Sequence, residues 1–186
     1  AISEMDNIVR DATNTENWKN WRLGLTILEM RDFMAAVATK DGAFIDLANP
    51  TCVWLQDNYA TRLESSLGRL ETQLAEDDYF AGMTAGQAGH IYGVFMSMNC
   101  VKGTPGRFDS LDEVAIFIDG AVDRYAEDPR KGENGIDCKP MVNGMEQMAK
   151  SVDTIREYNT MPEPQVADTM LSMYGNAYGM GCYANY

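Results

Sequence analysis

The stretch from Ile116 to Cys182, IFIDGAVDRYAEDPRKGENGIDCKPMVNGMEQMAKSVDTIREYNTMPEPQVADTMLSMYGNAYGMGC, decides the fold. Apolar residues at helical spacing lead into a polar loop that ends on Cys138. Two more helical patterns follow this cysteine, and the second of them ends at Cys182. One cysteine before a helix and another at the end of the next predict a helical hairpin cross-linked by a disulfide.

A diverged copy of this arrangement occurs earlier in the chain. The segments Tyr92–Cys100 (YGVFMSMNC) and Tyr174–Cys182 (YGNAYGMGC) share Tyr, Gly, Met and Cys in one register. Upstream, Cys52 opens a helical pattern as Cys138 does, and a helix and a polar glycine-bearing loop precede each of them. Because internal repetition determines the whole fold, we interpret the chain as two diverged modules.

The predicted fold is all-α, with two tandem small helical modules, each a disulfide-linked helical hairpin plus a preceding helix. Residues 1–102 are predicted to form the first module and residues 107–186 the second, either as separate units or packed as one unit. The segment KGTPG between them, residues 102–106, has two glycines and a proline and no apolar periodicity, which is typical of a boundary. No segment alternates with period two between turn signals, so we predict little or no sheet.

Local signals predict where the elements of the first module begin. Thr51 is the expected N-cap of the clearest helix, which carries a continuous apolar stripe. The segment AGMTAGQAGH, residues 81–90, consists mostly of small residues and is predicted to be flexible. The next helix is predicted to run from about Ala85 to Asn99. The polar lead from Ala1 to Asn20 is predicted to be a short helix or a strap across the body.

The four cysteines indicate a disulfide framework. No two are spaced as C-x-x-C, and a lone histidine leaves zinc short of nitrogen ligands, so neither a zinc knuckle nor a thioredoxin-like motif is predicted. Four cysteines allow three pairings, and the repeat selects Cys52–Cys100 and Cys138–Cys182. Each bridge would close a loop of about 45–50 residues and contribute about 3–4 kcal/mol. Disulfides persist in the periplasm or outside the cell, whereas the alternative is four buried reduced thiols in a cytosolic protein.

The net charge of −13 excludes some partners and favours others. It argues against nucleic acid, whose phosphates require basic residues, and against anionic membrane surfaces. It favours a basic protein partner, or serves solubility alone. No apolar run approaches the roughly 18 residues of a membrane span. The start AISEMDNIVRD shows no signal peptide, although a start at Ala1 is what signal-peptide cleavage would leave.

The C-terminal module resembles the Rap/Tai-type immunity proteins over roughly Ala115 to Cys182. The resemblance lies in FIDGAVD, a polar loop, Cys-x-Pro, a helix with Gln147 early in it, a proline-bearing turn with Glu163, and a helix ending in Cys. Those proteins are small, periplasmic and all-helical, neutralise the peptidoglycan-cleaving amidase effectors of type VI secretion systems, and commonly act as dimers. The cysteine expected at the start of the first family helix is absent here, unless Cys100 replaces it from farther upstream. The Cys-to-Cys hairpin also resembles the HdeA-type periplasmic acid chaperones.

The resemblance implies a periplasmic or secreted protein, not an enzyme, that blocks its partner by inserting a rigid loop in a cleft. The loop from Glu127 to Ile136 is the candidate, because it is polar and anchored at its end by Cys138. Its predicted partner-binding residues are Glu127, Asp128, Arg130, Lys131, Glu133 and Asn134. Anchoring would lower the ordering cost of such a loop, and surplus carboxylates would steer a basic effector. A merely solvated connection is the alternative.

No catalytic residue, cofactor or metal ligand is singled out. A catalytic Cys–His pair of Cys100 with His90 would need a free thiol, which the predicted disulfide removes. A structural role is therefore expected for His90. The tail from Met170 onward, MLSMYGNAYGMGCYANY, offers thioethers to Cu(I), although methionine at helical spacing is more often core filler. A Met-rich metal-handling protein and an acid-stress chaperone that binds unfolded clients are therefore the alternatives to an inhibitor. For the chaperone, protonation of the 28 carboxylates below about pH 4 would remove most of the negative charge.

Overall fold

A computed structural model of the chain describes residues 19–20, 25–78, 80–103, 108–132 and 135–183. Over these residues the chain forms seven helices and one pair of two-residue antiparallel strands. The strands are β1 (Lys19–Asn20) and β2 (Leu25–Thr26), and the helices are α1 (Ile27–Ala38), α2 (Pro50–Ala75), α3 (Ala81–Ser97), α4 (Leu111–Glu127), α5 (Lys139–Lys150), α6 (Val152–Tyr158) and α7 (Glu163–Gly179). The predicted all-α fold is confirmed. The predicted strap lies outside the described residues except for β1.

The chain divides into two compact units, unit 1 from Ala1 to Pro105 and unit 2 from Gly106 to Tyr186. In unit 1, α1 packs on both α2 and α3, which themselves form an antiparallel hairpin. In unit 2, α4 packs in the same way on α5 and α7, with α6 between them along the chain. Among the described residues, no helix is both long enough and apolar enough to cross a membrane.

Both predicted disulfides are present, and each joins the start of a hairpin to its end. Cys52 lies in the first turn of α2 and bonds to Cys100, which follows α3, with the two Cα atoms 5.3 Å apart. Cys138 is the N-cap of α5 and bonds to Cys182, which follows α7, at a Cα separation of 5.7 Å. These separations lie in the range that a disulfide spans. All four cysteines are bonded, so the reading as reduced thiols is wrong.

The two hairpins end in the same backbone motif. The amide of the last cysteine donates to the carbonyl five residues before it, at 2.8 Å for Cys100 and 3.0 Å for Cys182. The residue before each cysteine is left-handed, with φ of 60° at Asn99 and 76° at Gly181. This is a Schellman ending, which glycine and asparagine favour because a larger side chain is strained there. The shared register of the two tails is therefore a shared way of ending a helix.

Two local predictions in unit 1 are wrong. The N-cap of α2 is Asn49 rather than Thr51, because the Asn49 side chain accepts a hydrogen bond from the Thr51 amide at 2.9 Å. The helix α3 begins at Ala81, about four residues before the predicted start at Ala85. Its first half buries a set of small residues: Ala81, Gly82, Thr84, Ala85, Ala88 and Gly89. Packing against α2 therefore outweighs the poor helix propensity of glycine.

In unit 2 the first helix of the hairpin is interrupted, although the apolar residues from Val142 to Ile155 keep helical spacing in the sequence. The break between α5 and α6 falls at Ser151, whose hydroxyl donates to the Gln147 carbonyl at 2.6 Å. A serine that bonds back to the preceding turn commonly bends a helix. After this break, the side chain of Arg156 in α6 reaches Glu163 at the start of α7.

Arg156 of α6 ties together the starts of α4 and α7. Its guanidinium donates to both oxygens of Asp112, at 2.6 and 3.0 Å, and to Glu163 at 2.7 Å. The hydrogen bond from Arg156 lowers the pKa of Asp112, and the hydrogen bonds to the two carboxylates raise the pKa of Arg156. Unit 2 is thus held by the disulfide at one end of α7 and by this ion triad at the other.

Candidate functional site

The loop predicted to bind a partner connects α4 to α5 and is held at both ends. At its start the hydroxyl of Tyr125, in the last turn of α4, donates to the carbonyl of Arg130 at 3.1 Å. At its end the carboxylate of Asp137 accepts a hydrogen bond from the Lys139 amide at 3.1 Å. The predicted contact residues Glu133 and Asn134 lie outside the described residues.

The middle of the loop packs on the disulfide. Gly132 is buried, and a Cβ on it would lie 3.4 Å from the Cys138 sulfur. The same Cβ would approach the Met180 carbonyl oxygen more closely than 3.0 Å, which real Cβ atoms essentially never do. Glycine is therefore required here by close approach and not by its dihedral angles.

A short turn projects from this point. The Gly132 amide donates to the Ile136 carbonyl at 2.8 Å, and the Gly135 amide donates to the Gly132 carbonyl at 3.1 Å. Gly135 has φ of 77°, which turns the chain back toward Cys138. The side chain of Ile136 is 39% exposed at the base of this turn. The two described ends of this turn, which is the tip of the loop, are therefore hydrogen-bonded to each other, and Ile136 lies exposed at its base.

The described charges of the loop do not all face solvent. Arg130 is half-buried and its guanidinium is paired with the Asp128 carboxylate. Since its carbonyl also accepts from Tyr125, Arg130 has internal partners on both its backbone and its side chain. Glu127 and Lys131 are exposed, and no ion pair with either forms among the residues that the structure describes. Together with Ile136, these two are exposed side chains of the described part of the loop.

Unit 1 uses the corresponding loop differently. Between α1 and α2 the Asp46 amide donates to the Cys100 carbonyl at 3.0 Å, and the Lys102 amide donates to the Phe44 carbonyl at 2.8 Å. These bonds form a β-bridge that fully buries Ile45 in the core. An isoleucine therefore follows the first helix in both loops, inside the core in unit 1 and partly exposed in unit 2.

Three residues that shape the site were missed by the sequence-based prediction. Gly132 and Tyr125 position the loop, and Ile136 is its exposed apolar residue. The available signal for Ile136 was a single apolar residue between Gly135 and Asp137 in a polar loop. No signal distinguished Gly132 from an unpacked loop glycine.

The other residues considered for chemistry lie in packed surroundings. His90 is half-buried within α3, and the sulfur of Cys100 is committed to its disulfide. Met170 is fully buried, and Met173 lies against Gly144. In the described part of the chain, no group of three or more His, Cys, Asp or Glu side chains is arranged to hold a metal ion. The tail methionines near α7 thus contribute to packing in unit 2.

Neither a family model nor a curated protein nor a solved structure matches this chain. Its resemblance to the Rap/Tai-type immunity proteins stays a prediction from the residues between Ala115 and Cys182. The geometry of the loop between α4 and α5 is the observation from which its function is argued.

Proposed function

We propose that this chain is a protein-binding inhibitor of the immunity type, which blocks a secreted peptidoglycan-cleaving amidase by inserting the loop between α4 and α5 in its cleft. The observation that carries this proposal is the fastening of the loop. Gly132 rests on the Met180 backbone and the disulfide, while Ile136 stays 39% exposed. A loop fixed in this way loses little conformational entropy on binding.

The side chains on the loop suggest how the contact is made. Ile136 supplies an apolar anchor, and burying an exposed isoleucine contributes about 1 kcal/mol or more. Glu127 and Lys131 lie before the tip and are suited to polar contacts at the rim of a cleft. The net charge of −13 would speed the encounter with a basic partner.

The proposed place of action is the periplasm or the extracellular space. Two disulfides that each close a long loop, with sequence separations of 48 and 44 residues, persist where the surroundings are oxidising. In that compartment the disulfide Cys138–Cys182 would hold the loop in its binding conformation before a partner binds.

The first test is whether a gene for a secreted peptidoglycan amidase lies beside this one. The purified chain is then added to that enzyme, with peptidoglycan cleavage as the readout. Ile136→Ser should raise the concentration needed for half-inhibition about tenfold, since hot-spot residues contribute more than 1 kcal/mol. Ile116→Ser is the matched control, because Ile116 is 71% exposed on α4 and lies outside the loop. Equal inhibition by the two variants, or cleavage unaffected by the wild-type chain, would contradict the proposal.

An acid-stress chaperone is the second candidate, and the Arg156 triad is the observation that favours it. Protonation of Asp112 in strong acid would remove its charge and release the start of α4 from Arg156. Suppression of client aggregation at pH 2–3 but not at pH 7 would favour the chaperone over the inhibitor. Equal behaviour at both pH values would count against it.

A further inference from the structure

The tip of the hairpin in unit 1 exposes two large apolar side chains side by side. Phe80 and Met83 lie at the start of α3 and are 52% and 49% exposed. Residues three apart on a helix are neighbours on its surface, so the two side chains form one patch. Large aromatic and thioether side chains are the types that protein interfaces enrich.

The backbone beneath this patch is held firmly. Asp77 is left-handed with φ of 57°, and the Asp78 amide donates to the Gln73 carbonyl at 2.8 Å. The Asp78 carboxylate accepts a hydrogen bond from the Phe80 amide at 2.9 Å. One turn into α3, the buried Thr84 hydroxyl donates to the Gln73 side-chain oxygen at 2.7 Å and so joins α2 to α3. The Phe80 amide is therefore held by the Asp78 side chain.

Three consecutive carboxylates, Glu76 to Asp78, lie just before the patch in the chain. Glu76 and Asp77 are exposed and Asp78 is half-buried, and within the described residues none of the three forms an ion pair. The helix α3 carries no Asp, Glu, Lys or Arg. In unit 2 the carboxylates at the far end of the hairpin are instead bound by Arg156. The negative charge at the tip of unit 1 is thus not compensated by an ion pair within the described residues and can attract a basic partner.

This charge discriminates between the occupants that an apolar patch could take. A second copy of the chain would bring the same three carboxylates to the contact. The lead from Ala1 to Asn20 carries four carboxylates against two basic residues, Arg10 and Lys19, so its side-chain charge is also net negative. A different protein with lysines or arginines around an apolar pocket matches both the charge and the shape of the patch.

We propose that the tip formed by Glu76–Asp78, Phe80 and Met83 is a second protein-binding surface, which takes a basic protein partner through an apolar pocket with a cationic rim. This surface goes beyond the inhibitory loop, since it lies in unit 1 and uses none of the loop residues. An inhibitor with such a surface has a second contact for the same basic partner or a separate one for another.

The test is a titration of the isotope-labelled full chain, followed by NMR at the Met83 methyl and the Phe80 ring. The probe is a cationic amphipathic peptide of lysine and leucine at helical spacing, with its glutamate–leucine counterpart as the charge control. We expect the cationic peptide alone to shift these signals. Phe80→Ser should weaken its binding about tenfold, and Asp77→Asn should reduce the salt dependence of the binding.

Ile116→Ser is the control variant and should leave the affinity unchanged. Shifts that map to α4 around Ile116, or a Phe80→Ser variant that binds like the wild type, would overturn the proposal. Tip signals that move on dilution without peptide would instead assign the patch to a second copy. Signals that respond to phosphatidylcholine vesicles but not to the peptide would assign it to a membrane. Overhauser contacts from Phe80 to the lead in the free chain would assign it to the chain itself.

Discussion

A methyl group on Gly132 tests whether the loop between α4 and α5 is fastened to the disulfide. In Gly132→Ala the new Cβ would come within 3.0 Å of the Met180 carbonyl oxygen, which belongs to the backbone and has little room to move. Overpacking of this kind costs about 1–3 kcal/mol. For a unit of this size each kcal/mol lowers the melting temperature by about 4–8 °C. We therefore expect a clear loss of stability in unit 2, measured by thermal and urea unfolding.

The same substitution at Gly120 provides the control. Gly120 lies within α4, and a Cβ there would meet only the flexible end of Arg124, at an ordinary 3.5 Å. Since alanine is favoured over glycine inside a helix, Gly120→Ala should stabilise unit 2 by about 0.5–1 kcal/mol. If the two variants unfold alike, or if Gly132→Ala leaves the Ile136 signals unchanged by NMR, the loop does not rest on Met180.

Three further perturbations address what holds unit 2 together. Replacing both Cys138 and Cys182 by serine should cost about 4 kcal/mol in the chain-entropy model for their separation of 44 residues, and urea unfolding under non-reducing conditions measures it. Because Arg156 lowers the pKa of Asp112, their bond contributes stability above the ordinary carboxyl pKa of about 4 that is lost as the pH falls through the lowered value. Arg156→Met should remove that part of the pH dependence, which is measured as the free energy of unfolding from pH 2 to 7. A variant with the same pH dependence as the wild type would show that the bond contributes nothing. Burial raises the pKa of Tyr183 to about 12, so the folded state should lose stability as the pH rises from about 10 to about 12, where the phenol ionises in the unfolded chain but not yet in the folded one. Tyr183→Phe should remove a buried hydroxyl that has no hydrogen-bond partner among the described residues, and calorimetry at pH 7 should find stability equal to wild type or about 1 kcal/mol higher.

The cysteine register was enough to predict the disulfides and the order of the helices. Cys100 and Cys182 end their helices in one motif, and that motif restricts the residue before each cysteine to types such as Asn99 and Gly181. A helix-ending motif of this kind depends on residues adjacent in the chain, so it can be predicted from the sequence. The pairing followed because each cysteine has a counterpart in the other unit.

The errors have a different origin, since they depend on contacts between residues distant in sequence. The early start of α3 reflects small residues packed on α2, and a glycine-rich segment looks flexible until that neighbour is known. The close approach of Gly132 to Met180 joins positions that the sequence places far apart. The break at Ser151 depends on a side chain that bonds to the preceding turn, which a serine on a helix face does only sometimes.

The two units together suggest how a packed module acquires a binding loop. In unit 1 the residues after the last cysteine form a bridge with the loop, and the loop isoleucine, Ile45, lies in the core. In unit 2 the loop instead contacts the backbone just before the last cysteine, through Gly132, and Ile136 remains partly exposed. In both units the loop contacts the end of the hairpin beside the disulfide. The stability that the disulfide confers therefore does not require the loop isoleucine to be buried. The two isoleucines also stand at different distances from the cysteine that follows them, seven residues for Ile45 and two for Ile136, so each unit attaches its loop to its own disulfide hairpin by different contacts.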